Sequence, residues 1–237
     1  MPNISVPRDL LDFARVFKEA GHQLFLVGGA VRDSLLGREV SDFDAATDAR
    51  PERVIELFRK VIPTGIKHGT VTVLWKERNI ETTTFRTDIG YLDGRRPDRV
   101  EFGVSLEQDL ERRDFTINAM AWDPLRSRLV DPHGGRDDLK ARLVRAVGDA
   151  RERFEEDGLR ILRALRFACQ LDFDIAESTL ASIPPSLGRL ASVSAERLRD
   201  ELIKILLSAV PSKGFRLMES SGVLELILTE LSACRGV

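Results

Sequence analysis

The sequence predicts an α+β fold, with a mixed head followed by an all-helical part, and three observations carry that expectation. Strand signals are confined to the stretch before about residue 145. Two of them, Thr70–Trp75 and residues 80–86, are rich in Thr and Val and are joined at KERN, which reads as an antiparallel pair. After Arg142 the strand signals fade and helical periodicity takes over. The expected division is therefore a head over residues 1–145 and a helical part over 146–237.

The elements follow in order. Residues 8–20 carry Leu10, Leu11, Phe13, Ala14, Val16 and Phe17 at helical spacing, and Gly21 stops that helix. A strand over Leu24–Val27 ends in Gly28 and Gly29, after which AVRDSLLG reads as a helix turning out at Gly37. Residues 42–46 read as a strand, and residues 51–59 as a helix with Pro51 in its first turn. Residues 87–99 are rich in Gly, Asp and Arg without periodicity, and read as a loop carrying Arg95, Arg96 and Arg99. Helices are expected over 152–169, 176–182, 195–208, 212–221 and 223–232, and no internal repeat is visible.

With 237 residues and 43% hydrophobic content, the chain can bury a substantial core. Its 36 basic and 38 acidic residues give a net charge of -2, so any nucleic-acid binding needs a local basic face. Cys169 and Cys234 lie far apart without CxxC spacing, which predicts neither a disulfide framework nor a zinc site and fits a reduced, cytoplasmic setting. The start, MPNISVPRDL, lacks a signal-peptide pattern, and no run reaches the roughly 18 apolar residues of a membrane span. The expectation is a protein neither secreted nor inserted; its oligomeric state is left open.

In SDFDAAT, Asp42 and Asp44 are two apart on the expected strand, so both carboxylates leave one face while Phe43 points inward. Two acids on one face can hold Mg²⁺, a hard cation suited to phosphoryl transfer. Glu81, in IETTTF, is the candidate third ligand from a neighbouring strand. Taken alone, the DxD pair is the ordinary pattern of a solvated strand face. Upstream, Gly28 and Gly29 precede a helix and leave backbone N–H groups open to triphosphate oxygens, with Arg32 one turn in. A Gly pair alone more often marks a tight turn.

These motifs together resemble the class II tRNA nucleotidyltransferase and bacterial poly(A) polymerase family of the polymerase β-like superfamily. The resemblance runs through LVGGAVRDSLLGREVSDFDAATDA, TGIKHGTVTV, ETTTFRTD, GYLDGRRPDRVEF, ERRDFTINAMA and EEDGLRILRALRFA, over most of residues 24–208. It implies a polymerase β-like head, then a helical neck and the start of a body. It also implies Mg²⁺-dependent transfer of CMP and AMP from CTP and ATP to the 3′ end of tRNA. TGIKHGTVTV is of the type that CCA-adding enzymes carry, and the GYLDGRRPDRVEF loop argues against CC-only addition. A-only addition, poly(A) synthesis, and a nucleotide- or RNA-binding module without catalysis are the rivals. Family members usually continue into a helical body and tail, so a chain stopping at ELSACRGV reads as shortened.

In the helix expected over 152–169, Phe154, Gly158, Ile161, Leu162, Leu165 and Cys169 fall on one side. Arg160, Arg163 and Arg166 form a drifting basic stripe, with Asp157 one turn before Arg160. One reading is an intrahelical Asp–Arg ion pair on a solvated face. The other is a base reader: a carboxylate accepts from the amine of cytosine or adenine while a guanidinium donates to the ring nitrogen, and U and G set a carbonyl against the carboxylate. In the family the EDxxR motif is held to be this protein template, and EEDGLR carries Glu156, Asp157 and Arg160 in register. Arg163 and Arg166 would then contact the triphosphate or the tRNA end. By the same resemblance, Arg112, Arg113, Asp114 and Asn118 of ERRDFTINAM contact the ribose, although charge at a helix end explains them equally. SAERLRDELIKILLS resembles the family's last helical motif, and the resemblance implies that it holds the base-reading helix in place, a structural role.

Overall fold

The computed structural model describes residues 4–89 and 99–234. They form two compact units, one of residues up to 89 together with 99–139, the other from residue 140 onward. The first contains α1 (Arg8–Glu19), β1 (Leu24–Val27), α2 (Gly29–Leu35), β2 (Asp44–Thr47), α3 (Pro51–Leu57), β3 (Val61–Gly65), β4 (Thr70–Trp75) and β5 (Arg78–Thr84). β6 (Arg86–Ile89), β7 (Arg99–Phe102), α4 (Leu106–Glu111), β8 (Ala121–Asp123), β9 (Arg128–Val130) and α5 (Gly135–Ala141) follow.

The main sheet has seven strands in the order β3-β4-β5-β2-β1-β8-β9. Its one parallel pair is β2 with β5, in register Ala45 opposite Thr82; the others are antiparallel. α1 buries Leu10, Phe13, Ala14 and Phe17, spaced as one helical face. Phe13 and Phe17 meet Phe58 with ring centroids 5.0 and 5.3 Å apart, and Phe58 stands edge-on to Trp75 at 5.6 Å. The TGIKHGTVTV segment enters β4 through a tight turn at Gly69, where φ is +77° and a Cβ would overlap the Phe102 ring.

Several sequence expectations are corrected. β2 begins at Asp44, so Asp42 and Phe43 precede the strand. The reason is the length of its partner: β1 ends at Val27, paired with Asp44, and Gly28 at φ +70° turns the chain away. The expected strand over 80–86 breaks at Phe85, which is buried and hydrogen-bonds from its N–H to the Thr47 carbonyl at 2.7 Å, so β6 is a separate strand paired with β7. The loop expected over 87–99 is therefore strand at both ends; Arg95 and Arg96 fall outside the described residues. β3 and the β8–β9 hairpin carry no strong pattern, since β3 is largely exposed and β8 and β9 are three residues each.

The second unit contains β10 (Leu143–Val144), α6 (Ala150–Glu156), α7 (Leu159–Leu171), β11 (Asp174–Ile175), α8 (Glu177–Ala181), α9 (Leu187–Ala191), α10 (Ala195–Leu206), α11 (Pro211–Ser220), α12 (Val223–Ile227) and α13 (Thr229–Ser232). Its core gathers Phe154, Ile161, Leu162, Leu165, Cys169, Ile183, Leu190, Ile205, Met218 and Val223. β10 and β11 form a short parallel pair. Among the described residues no helix is long and apolar enough to cross a membrane.

The single helix expected over 152–169 is two. Asp157 leaves helical geometry at φ -147° and ψ 105°, ending α6, and its Oδ1 accepts from the Leu159 N–H at 3.0 Å to start α7. Gly158 keeps helical dihedrals, φ -56° and ψ -25°, but the backbone at Arg189 and Leu190 passes against it. A Cβ there would overlap the Arg189 carbonyl and stand 2.7 Å from Leu190 N. Helix propensity alone favours Ala over Gly by about 1 kcal/mol, yet overpacking against immovable backbone costs about 1–3 kcal/mol. Gly158→Ala is therefore expected to lower the melting temperature by calorimetry; a raised value would show that the Arg189 backbone yields.

Candidate active site

In the first unit the site forms around Gly28. Its positive φ is open to glycine, and a Cβ built there would lie 3.3 Å from Arg113 Nη1 and 4.0 Å from Asp44 Oδ2. Gly28 is thus flanked by the guanidinium of one candidate and the carboxylate of another. Immediately after it, α2 starts at Gly29, a seven-residue helix without a side-chain cap. One turn in, Arg32 donates to both oxygens of Asp33, at 2.9 and 2.7 Å, and from Nη1 to Asn118 Oδ1 at 2.7 Å. Asn118 donates in turn to Asp114 Oδ1 at 3.1 Å, which also accepts from the Phe115 N–H at 2.8 Å. Arg32, Asn118 and Asp114, drawn from distant motifs, are one hydrogen-bonded chain.

Arg112 and Arg113 share an anchor that sequence reasoning missed. Asp109 is fully buried on α4 and accepts from Arg112 Nε at 3.0 Å, Arg112 Nη2 at 2.8 Å, Arg113 Nη2 at 3.4 Å and the Arg86 N–H at 3.3 Å. Burial pushes the Asp109 carboxyl up, but the Arg112 and Arg113 charges and these hydrogen bonds outweigh it and hold the group below its ordinary value. The signal was present in the sequence, because Arg112 and Arg113 stand three and four residues after Asp109. Arg112 also donates to the Arg86 carbonyl at 3.1 Å, so its guanidinium ties α4 to β6.

The three acids face a common field. Partial desolvation raises Asp44, Arg113 pulls the other way, and repulsion from Asp42 adds a smaller upward push, although the residue keeps an exposed edge. Burial and then Asp44 raise Glu81, opposed by Arg86. The β2–β5 register explains this: Ala45 is opposite Thr82, so Asp44 and Glu81 lie next to each other at the start of the paired segment. Asp42 is exposed, and its Oδ2 accepts from the Ser41 hydroxyl at 3.0 Å. Among the described residues no three His, Cys, Asp or Glu side chains converge closely enough to hold an ion by themselves. Asp42 and Asp44 nonetheless suit a divalent cation in chemistry: they are hard oxygen donors at one edge whose mutual repulsion a cation relieves. An ion such as Mg²⁺ completes its shell with water and substrate oxygens.

In the second unit Asp157 and Arg160 are not each other's partner. Asp157 is paired with Arg197 of α10, Nη2 to Oδ2 at 2.8 Å and Nη1 to Oδ1 at 3.3 Å. Arg160 is paired with Glu156 and donates to the Arg153 carbonyl at 3.2 Å. The intrahelical Asp157–Arg160 pair is thus replaced by two pairs to other residues, because Asp157 lies outside the helix. Arg163 lies over the Phe167 ring at 5.5 Å. Arg166 is buried at 9% exposure, stacked on Phe167 at 4.1 Å and paired with buried Glu201 at 2.6 Å. Its guanidinium thus bridges α7 and α10 through Glu201. Arg197 and Glu201 were not named from the sequence; both lie in SAERLRDELIKILLS, the segment that the resemblance implies holds this helix in place.

The fold and the site together define a class, the polymerase β-like nucleotidyltransferase head followed by a helical region. Residues 24–145 match the family described as "Poly A polymerase head domain", and the chain belongs to that family. Residues 172–234 match the family described as "Probable RNA and SrmB- binding site of polymerase A". The chain is 46% identical over 215 residues to a CCA-adding enzyme of Lactobacillus johnsonii, covering 91% of this chain and 54% of the relative. It superposes with a TM-score of 0.84 and 42% identity on the Bacillus stearothermophilus CCA-adding enzyme in complex with CTP, over 91% of this chain and 52% of that one. A tRNA nucleotidyltransferase complexed with a primer tRNA and an incoming ATP analog matches with a TM-score of 0.76 and 36% identity, over 91% and 62% of the two chains. The chain spans about half the length of the curated relatives it matches.

Asp109→Asn is expected to lower stability at neutral pH by about 3 kcal/mol, since it removes one side of a buried ion network. The sign with pH follows from the lowered carboxyl: its contribution is full above the ordinary value of 3.8 and fades as pH falls through the lower folded value. Denaturant melts of both proteins from neutral pH downward should converge only in acid. A gap that stays constant with pH would show that Asp109 is not ionised in the fold.

Proposed function

We propose that the chain is the nucleotide-transferring part of a CCA-adding tRNA nucleotidyltransferase. The reaction moves CMP and AMP from CTP and ATP to the 3′ end of tRNA without a nucleic-acid template, in the cytoplasm. The observation that carries this reading is Gly28, flanked by Arg113 and Asp44 within a head-domain family whose similar structures include one in complex with CTP. In the reaction the terminal 3′-hydroxyl oxygen bonds to the α-phosphorus, the α–β bridging P–O bond breaks, and pyrophosphate leaves with the displaced electron pair. The hydroxyl proton passes to solvent.

The proposed division of labour follows the residues. A head to about residue 145 performs transfer, and a helical neck over 146–237 selects the nucleotide. Asp42 and Asp44 would hold Mg²⁺, with Glu81 adding negative charge on the neighbouring strand. The metal would neutralise triphosphate oxygens and lower the pKa of the attacking hydroxyl. The Gly28–Gly29 backbone leaves room for the triphosphate, and Arg113 offsets its charge. Arg32, Asn118 and Asp114 offer a connected polar edge to the ribose, with Arg112 bracing it. Asp157 accepts from the amine of C or A while Arg160 donates to the ring nitrogen. Arg163 supplies charge near the same helix face; Arg166 holds that helix through Glu201.

Purified chain should incorporate CMP and then AMP into tRNA ending before CCA, after one C and after both Cs, and chelation should stop it. Asp44→Asn should lower incorporation roughly 100-fold or more, the scale of removing one electrostatic contributor in such a site, while the fold is retained. Growth on ATP only, on CTP only, or without limit would reassign the protein to A-adding, CC-adding or poly(A) activity. A folded chain that binds CTP and incorporates none would be a binding module, and the enzyme reading would fall.

A further inference from the structure

We propose that Arg78, in the KERN connection at the start of β5, is a positioning residue for the metal site, holding residues 41–43 so that Asp42 meets the same cation as Asp44. The inference rests on the assignment of Asp42 and Asp44 as the carboxylates that hold Mg²⁺.

Asp42 needs a hold that the main sheet does not give it. β2 begins at Asp44, so the backbone of Asp42 lies outside the ladder. The Asp42 and Asp44 charges also repel each other, which pushes an untethered segment away from the site before a cation arrives. Among the described residues, one hydrogen bond ties residues 39–42 to another element: Arg78 Nη1 donates to the Ser41 carbonyl at 3.2 Å. The bond from the Ser41 hydroxyl to Asp42 is internal to the segment.

One guanidinium here meets three parts of the head. Arg78 Nε donates to Asp9 Oδ2 on α1 at 2.6 Å, Nη1 reaches Ser41, and the guanidinium carbon lies 5.6 Å from the centre of the buried Phe43 ring. Asp42 is therefore flanked on both sides, through the carbonyl before it and the ring after it. Its own carboxylate is left open. Oδ2 accepts from the Ser41 hydroxyl at 3.0 Å, and the remaining lone pairs stay available to a cation. The anchor is itself fixed, because the Asp9 carbonyl accepts from Trp75 Nε1 at 2.8 Å. That bond joins α1 to the β4–β5 hairpin without Arg78, so removing the guanidinium leaves the hairpin attached.

The expected signature is a loss of metal affinity that added metal repairs. Groups that orient a metal ligand commonly carry about 10–100-fold of the affinity. A pure fold staple would behave otherwise, lowering the melting temperature and leaving the metal constant where it was.

The test uses the full chain with Arg78→Met, which keeps an apolar stem beside Phe43 and loses the fork, and Arg78→Lys, a point charge without the planar fork. Asp12→Asn, which weakens the ion pair between α1 and Lys76 of the same hairpin, is the control. Mn²⁺ dissociation constants are read from the paramagnetic resonance of the free ion, without nucleotide or tRNA, and folding from thermal melts. The Mg²⁺ concentration that half-saturates CMP incorporation is measured separately. The Mn²⁺ constant should rise about tenfold or more in Arg78→Met, and half-saturating Mg²⁺ with it, while the rate at saturating Mg²⁺ returns to the wild-type value. Arg78→Lys should fall between, and Asp12→Asn should match wild type. An unchanged Mn²⁺ constant in folded Arg78→Met overturns the role. Should that variant not fold, Arg78→Lys decides by the same constant. A wild-type chain that binds no Mn²⁺, or Asp42→Asn that binds it as wild type does, overturns the assignment of the metal to these carboxylates, and this role with it.

Discussion

The end of β1 governs the head. Val27 pairs with Asp44, and one residue later Gly28 adopts a positive φ that turns the chain into α2. That turn stops the ladder, places Asp44 at the first paired position of β2 and leaves Asp42 beyond it. It also clears the volume that a Cβ would occupy between Asp44 and Arg113. Any other residue would carry both a backbone penalty and a side chain directed between the two charges. A single backbone conformation thus joins the fold to the candidate chemistry.

Charged side chains in both units are braced by a partner of opposite sign. Asp109 braces Arg112 and Arg113 from a fully buried position; Arg197 braces Asp157, and Glu201 braces Arg166. Such pairs contribute little net stability relative to apolar packing, because desolvation offsets their attraction. What they do provide is orientation, since a long side chain held at its head cannot sample other rotamers. The order is consistent with a protein that must hold polar groups ready for a charged ligand.

Much of this was legible in the chain. The apolar spacing of Leu10, Phe13, Ala14 and Phe17 marks α1, and the Val and Thr alternation marks β4, because burial on one face writes a period into the sequence. Of the candidate residues that the motifs single out, the head joins Arg32, Asn118 and Asp114 by hydrogen bonds. The break at Asp157 was not found. Helical periodicity runs through it, whereas the Asp157 side chain bonds to the Leu159 N–H and the backbone of Arg189 and Leu190, some thirty residues on, passes beside Gly158, neither of which leaves a periodic signal.

The amino-acid sequence by itself determined the α+β class, the order of the main elements and the identity of the acids and arginines, since these depend on local pattern and on motif spacing. Tertiary structure decided which charges meet. Asp157 turned from Arg160 to Arg197, Arg166 turned inward to Glu201, and Asp42 fell outside the strand that holds Asp44. The physical reason is that an ion pair is chosen by distance and burial. Spacing along a helix proposes partners three or four residues away, whereas packing of α7 against α10 supplies partners that no local pattern records.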